Sequence, residues 1–549
     1  MSAAAGAAVV LPANSTLALI AASAAAHPDR PALLHQLSAG DPEAVLVWRY
    51  REFYQAILKA AALLRAHGVT RDSRVAILAP NIPATHVALW AAELAGIAFP
   101  VNYLLGAAHI AELFQAADVS AAIVLSAHPS LPIFDTLTNA IGLSGKSITV
   151  FEIDPNEASP ATGSLQQRWQ GCAPAAELLF EITPSTSAAL FHTGGTTSAP
   201  KILRHIHRNQ MHVAEQAPGY YALAPGDVML NGFPLFHVAG AFVYGLSALA
   251  VGATLYIPTM LAFRDPQFVE QAWALLAHHR VSHLGCVPTT IATLLQKYDQ
   301  FEAPRTLVAR RILTGGSPLP AQLADAMEQK TGIPVRNIFG MTECAGVVSV
   351  EPADRPRVAG SVGFALPGSR VRAVALDSDL DASLSFCAAG ETGVLCLQGP
   401  HVSPGYLDAR LDLGTFTKEG WLVSGDLGHV EADGRIFLTG RAKDLIIRSG
   451  HNLDPQAIEE AFMGHEAVAV CAAVGRLDSY AGEVPVVFVT LKEGFDLSGD
   501  DILNAVRARI AEPPAVPKAV IVIDSMPLTA VGKIHKPTLR ELANRPAPI

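Results

Sequence analysis

The densest concentration of chemically useful residues is the run Thr193-Gly194-Gly195-Thr196-Thr197-Ser198-Ala199-Pro200-Lys201. Glycines let the backbone turn its N–H groups onto an anion, the threonines add hydroxyl donors, and Lys201 adds a positive charge. Together they read as a cradle for a polyphosphate, although a polar surface turn would use the same residues. The GxxxxGK[ST] spacing of the ATPase and GTPase loop is missing. Two more runs follow directly on strand-like segments, where open α/β sheets gather their ligands. They are Gly315-Gly316-Ser317-Pro318 and Phe339-Gly340-Met341-Thr342-Glu343.

These loops need a frame, and the sequence supplies one. An apolar run at 188–191 enters the phosphate-like loop. Residues 74–79 form a short apolar strand closed by Pro80-Asn81; a helix then starts at Pro83, places Val87, Trp90 and Leu94 on one face and stops at Gly96; residues 97–101 make the next strand. The same unit recurs as strand 311–314, helix 320–330 ended by Gly332, and strand 335–339, which is the pattern of a parallel βαβ crossover. An α/β fold of doubly wound sheets is predicted for the first four-fifths of the chain. After about residue 440 the texture changes to a charged stretch followed by helix 456–462, strands 467–474 and 484–491, and helix 501–511, a small α+β unit. The predicted division is 1–440 and 441–549, with the boundary near Lys443.

Composition narrows the function classes. The chain has 549 residues, 50% apolar and 16% charged, against roughly 25% charged in an average protein, so it can bury a large core. Its 39 Lys plus Arg against 49 Asp plus Glu give a net charge of -10, and no dense basic run appears, which argues against a nucleic-acid partner. The six cysteines are scattered with no CxxC pair, so a reducing, cytoplasmic location is expected. The first 28 residues carry no Lys, Arg, Asp or Glu and so lack the positive start of a secretory signal. Residues 238–257 are uncharged for the length of a membrane helix, but Gly240, Gly245 and Gly252 and the strand-like tail before Pro258 predict a buried helix followed by a buried strand, and no transmembrane segment.

Six motifs occur in one order: the 193–201 run, Pro234-Leu235-Phe236-His237, Phe339 to Glu343, Ser424-Gly425-Asp426, Gly440-Arg441-Ala442-Lys443-Asp444 and Gly532-Lys533-Ile534. In order and spacing they resemble the adenylate-forming enzymes, specifically the acyl-CoA synthetase branch, from about residue 15 to about 540. The resemblance implies a large N-terminal domain and a small mobile C-terminal domain with the active site between them. It also implies the reaction: ATP and a carboxylate give an acyl-adenylate, whose acyl group passes to the thiol of coenzyme A. Small-molecule acid, ATP and CoA are the implied partners, with Mg²⁺ as the ion; a homodimer is one option for the assembly.

By position, the resemblance assigns Thr193, Gly194, Gly195, Thr196, Thr197 and Lys201 to the ATP phosphates and Glu343 to Mg²⁺. Gly315, Gly316 and Ser317 with Phe339, Gly340, Met341 and Thr342 would surround the adenine, Asp426 would take the ribose hydroxyls, and Arg441 the ribose or phosphate. Lys533 would bridge substrate carboxylate and α-phosphate, Lys443 would be the hinge, His237 would gate the acyl tunnel, and Ser449, Gly450 and His451 would line the pantetheine path.

Three positions depart from the family's habit: Ser198 and Ile202 stand where glycines are usual, and Ser424 where threonine is common. Amino-acid adenylating relatives carry an aspartate at the position of His237, which argues against an amino acid substrate. Only 14 residues separate Asp426 from Arg441, leaving no room for the insertion of carrier-protein ligases. Residues 232–258 contain no Asp, Glu, Lys or Arg, so an uncharged acid is expected, of medium or long aliphatic chain first and aryl second, in a roomy pocket beside Gly240, Ala241 and Gly245. An adenylate-forming enzyme with another acceptor, or an AMP-binding protein without turnover, would share most of these motifs.

Overall fold

A computed structural model describes residues 15–174, 181–193, 201–301, 307–376, 378, 384–449, 451–478, 480–510, 512–529 and 532–545. Three sheets organise the chain. In the six-stranded sheet the order is Thr149–Ile153, Val119–Leu125, Arg74–Leu78, Ile97–Pro100, Ser187–Thr193 and Lys201–Ile206. All neighbours are parallel except the last pair, a hairpin whose arms meet at Thr193 and Lys201.

The predicted βαβ unit is present as Arg74–Leu78, helix Pro83–Ala95 and Ile97–Pro100. Its helix is buried on every side, not on one face, because helices Thr16–Ala26 and Tyr50–Ala66 cover what the sheet leaves open. Trp90 packs toward Phe242, with ring centroids 6.4 Å apart.

The thirteen-stranded sheet has two textures. One half is parallel and runs Pro31–Gln36, Thr254–Ile257, Val228–Asn231, His283–Cys286, Arg311–Gly315, Val335–Phe339, with Val45–Arg49 antiparallel at its edge. It contains the second predicted βαβ unit, whose helix Ala321–Thr331 ends at Gly332. The other half is antiparallel: Ser349–Val350, Ser361–Ala365, Arg435–Arg441, Leu422–Val430, Gly393–Gln398, Arg370–Val374.

Here the predicted strand–helix alternation fails, since the described residues from 349 to 441 hold no helix beyond the short turn Ala409–Asp412. Turn residues stop the chain before a helix can complete. At Asp433-Gly434 the backbone reverses with Gly434 at φ 88°, and the Glu431 amide bonds the Arg435 carbonyl at 2.8 Å.

Residues 238–257 form a π-helix Ala239–Leu246, one turn Ser247–Ala250 and the strand Thr254–Ile257, the buried helix and strand expected. Among the described residues no helix is long and apolar enough to cross a membrane.

The large sheet ends at Arg441, a turn Ala442–Asp444 follows, and Ile446–Arg448 opens the five-stranded sheet. That sheet includes the hairpin Val468–Asp478 and Gly482–Leu491, longer than predicted, with Ala519–Val522 parallel to its second arm. The helix expected over 501–511 is Gly499–Val506, started by Ser498 and Asp501 in a reciprocal cap. It stops where the run Ile502, Leu503 and Val506 that packs on the small core is complete.

Candidate functional site

Thr193 ends one arm of the hairpin and Lys201 begins the other. Gly194, Gly195, Thr196, Thr197 and Ser198 lie outside the described residues. The second arm is stapled from outside by 403–407: the Arg204 amide donates to the Gly405 carbonyl at 3.2 Å, the Leu407 amide to Ile202 at 2.7 Å, and the Ser403 hydroxyl to the Arg204 carbonyl at 2.7 Å. The same segment reaches Glu343, because the Ser403 amide donates to the Glu343 carbonyl at 2.9 Å and the Tyr406 hydroxyl to Glu343 Oε1 at 2.8 Å. Thr193 lies near the same phenol. Burial, the Glu343 carboxylate and its hydrogen bond push the Tyr406 phenol well up, so it stays a neutral donor.

Glu343 sits in the turn Thr342–Cys344 directly after strand Val335–Phe339. Two close approaches shape this corner: a Cβ on Gly340 would overlap the Gly346 carbonyl, and His205 Nε2 donates to the Thr342 carbonyl at 2.7 Å from the hairpin side. Phe339 is 6% exposed and shares a core cluster with Cys344, Val348 and Val362, with Met341 packed against it. Most of its ring is committed to that core. The described residues hold no group of three or more His, Cys, Asp or Glu that could hold a metal. Glu343 would offer one hard carboxylate oxygen, a donor that fits Mg²⁺ completing its shell with phosphate and water oxygens.

On the antiparallel half, Asp426 and Arg441 face each other in register, and Asp426 Oδ1 accepts from Arg441 Nε at 2.7 Å. Asp426 is 4% exposed, and its Oδ2 is buried with no hydrogen-bond partner. Burial raises its carboxyl above the usual range against the pull of Arg441. An orphaned buried acceptor of this kind fits a ligand that brings hydroxyl donors. Ser424 shapes the approach, its hydroxyl donating to the Leu395 carbonyl at 2.7 Å and accepting the Asp426 amide at 3.0 Å.

Lys533 comes to this place from the small unit. Its loop closes on itself, the Thr529 amide donating to the Lys533 carbonyl at 2.7 Å and the Lys533 amide to the Thr529 hydroxyl at 3.1 Å. Thr289, on helix Pro288–Lys297 of the large unit, donates to the Gly532 carbonyl at 2.9 Å and docks the loop. The ammonium reaches Gly316, at φ 80°, where an added Cβ would stand 2.7 Å from Lys533 Cε and 2.9 Å from Nζ. A side chain at 316 would occupy the lysine's place and strain the backbone. Burial and the Arg441 charge, against Asp426, lower the Lys533 amine to about 8, so at neutral pH it is still mostly charged.

His237, just ahead of the π-helix, accepts the Ala239 amide on Nδ1 at 3.1 Å. Burial and the Lys533 charge lower its imidazole to about 3, leaving a neutral ring whose Nε2 carries the proton. Phe233 stacks between His237 and Tyr244, with centroids 6.3 and 5.1 Å away. The roomy side expected from Gly240 and Gly245 is absent. A Cβ on Gly240 would stand 2.5 Å from the Pro234 carbonyl oxygen, and one on Gly245 would overlap the Gly240 carbonyl, so both glycines serve backbone packing. Asn231 Nδ2 donates to that same Gly240 carbonyl at 2.9 Å, satisfying it within the π-helix.

The structure thus brings Lys533, Asp426, Arg441, Gly316 and His237 together, and links Glu343 to the phosphate hairpin through Tyr406. Gly315 is packed tightly against Ile338, and Ser317, next to Gly316, is half-buried. Lys443 is exposed in the turn between the sheets. Ser449 lies directly after strand Ile446–Arg448, with φ 51° and its amide on the Ala481 carbonyl at 2.7 Å; Gly450 and the side chain of His451 lie outside the described residues. Tyr406 and Thr289 escaped the sequence reading, since a tyrosine after Pro404-Gly405 and a threonine after Pro288 carry no chemical cue of their own.

Comparison with known proteins gives the class. The AMP-binding enzyme family matches residues 20–407, and the AMP-binding enzyme C-terminal domain matches 457–533. The chain is 35% identical over 501 residues to a marinolic acid–CoA ligase of Pseudoalteromonas sp., covering 90% of this chain and 76% of that protein. An indoleacetate–CoA ligase of Aromatoleum aromaticum is 29% identical over 499 residues, 90% of this chain and 93% of that one. The crystal structure of ATP-bound MatB from Rhodopseudomonas palustris superposes with a TM-score of 0.82 at 25% identity, covering 96% of this chain and 99% of that one.

The chain belongs to the AMP-binding enzyme family. Within it, the chain is an acid–thiol ligase that works through an acyl-adenylate, with ATP and CoA as co-substrates and Mg²⁺ as the ion.

Proposed function

We propose that this ligase joins an apolar monocarboxylic acid without a second charge to CoA, and that adenylation happens where Lys533 meets Asp426 and Gly316. That meeting of a small-unit lysine with large-unit loops carries the reading. Lys533 would hold the carboxylate and the α-phosphate as charge moves onto the bridging oxygen. Asp426 would accept the ribose hydroxyls, Arg441 would support the phosphate side, and Gly316 with Phe339 would flank the adenine. Thr193, Lys201 and the 194–197 loop would hold the outer phosphates, and Glu343 the Mg²⁺ that neutralises them. With the division at 440/441, rotation at Lys443 would then exchange Lys533 for Ser449, Gly450 and His451 at the mouth of the site. The six scattered cysteines, with no CxxC pair, support a reducing compartment such as the cytoplasm.

The uncharged wall from Gly232 to Pro258 and the Phe233, His237, Tyr244 stack support an apolar acyl group. The names of the relatives weaken the fatty-first order expected from sequence, since indoleacetate and 4-coumarate are aryl acids. An acid panel tests the reading, with octanoate, hexadecanoate, benzoate, 4-coumarate, indoleacetate, succinate and sulfoacetate read out as AMP and CoA thioester. Apolar monocarboxylates should lead the doubly charged acids by about a hundredfold in kcat/KM, because a second charge would be buried without a partner. A doubly charged acid as best substrate would refute it.

A further inference from the structure

Tyr406 lies at a junction that none of the assigned roles uses. It is 7% exposed, its amide donates to Asp412 Oδ1 at 2.8 Å, and its ring packs edge-on against Phe416 at 5.8 Å. Its backbone bridges Leu203 in the phosphate hairpin. With backbone and ring fixed, the phenol can point in one direction only, and its single proton goes to Glu343 Oε1. Thr193, at the end of one arm of the phosphate hairpin, lies near the same phenol. Tyr406 thus stands between the residues assigned to phosphate and to metal.

We propose that Tyr406 is a positioning residue for adenylation: by occupying Glu343 Oε1 it fixes the carboxylate in one orientation, leaves Oε2 for Mg²⁺, and ties that orientation to the phosphate hairpin through its backbone bridge to Leu203. This rests on Glu343 being the Mg²⁺ ligand. Metal site and phosphate hairpin are then held by one residue, its phenol on Glu343 and its backbone on Leu203. A carboxylate freed from Tyr406 would sample several rotamers, and ordering it would be added to the cost of binding the ion.

The test is Tyr406→Phe, which keeps the ring against Phe416 and removes only the hydroxyl. The Mg²⁺ concentration giving half-maximal ATP–pyrophosphate exchange should rise about tenfold, as for loss of one hydrogen bond to a charged group. CoA thioester formation from prepared acyl-AMP should stay within about twofold, since no triphosphate is present. In a Glu343→Gln background the Tyr406→Phe change should add almost nothing, because its only route to the metal is gone. If Glu343→Gln shifts the Mg²⁺ dependence and Tyr406→Phe does not, the positioning role is refuted while the metal assignment stands. If neither shifts it, the metal assignment itself fails. Equal loss of both half-reactions in Tyr406→Phe, at unchanged circular dichroism, also refutes the proposal. Should the variant fold poorly, Tyr406→Met, which keeps apolar bulk and carries no donor, replaces it in the same exchange assay, with the same Mg²⁺ shift expected and an unchanged Mg²⁺ dependence refuting the positioning role.

Discussion

Replacing Lys533 by Ala separates the two half-reactions. In the structure the ammonium is held between Gly316, His237 and the Asp426–Arg441 pair. Arg441 is committed to Asp426 and half-exposed, so it cannot move in without leaving that carboxylate unpaired. Removing a preorganised donor from such a place costs ~3–4 kcal/mol of transition-state stabilisation, which is about two to three decades in rate. Stability should not fall with it. The lysine's amine is lowered to about 8, so the fold works against the charge, and the alanine variant should melt at the same temperature or higher. ATP–pyrophosphate exchange measures the first half-reaction, and thioester formation from prepared acyl-AMP and CoA measures the second. The first should drop by at least about a hundredfold and the second stay within about threefold. Normal exchange in the variant, or equal loss of both steps in a folded protein, would refute the role given to Lys533.

The same amine sets a pH limb: it is charged below about 8 and neutral above, so kcat/KM for adenylation should be level near neutrality and fall about tenfold per unit on the alkaline side, a limb that Lys533→Ala should abolish. Glu343→Gln keeps the shape and loses the charge, so exchange should need about tenfold more Mg²⁺ or more; an unchanged requirement removes Glu343 from the metal site. Lys443→Pro fixes φ near -65° in the turn Ala442–Asp444, and should damage one half-reaction at least about tenfold more than the other; equal damage counts against a hinge there.

What could be read from the sequence were the parts with local grammar. Pro83 before an apolar helix and Gly96 after it, or Gly332 closing Ala321–Thr331, mark both crossover units, and the loops after those strands carry the site. The antiparallel half was not readable. Its strands are short, separated by irregular loops, and pair by long-range register such as Ser361 with Phe437, which no local pattern encodes. Gly240 and Gly245 read as open space because small residues look alike whether they line a pocket or admit a backbone, and only the π-helix decides between these. Tyr406 went unseen for a related reason: its partners Glu343 and Leu203 are far from it in sequence, and only the folded chain sets them beside it.

The most direct measurement of the chemistry uses an acid whose carboxylate oxygens are heavy-isotope labelled, turned over with ATP, Mg²⁺ and CoA, with the AMP analysed by mass spectrometry. Attack of the carboxylate on the α-phosphate followed by release of AMP from the acyl carbon must leave one labelled oxygen on each AMP formed, with none in pyrophosphate. Label in pyrophosphate or free phosphate, or AMP formed without label, would contradict an acyl-adenylate at the Lys533 site.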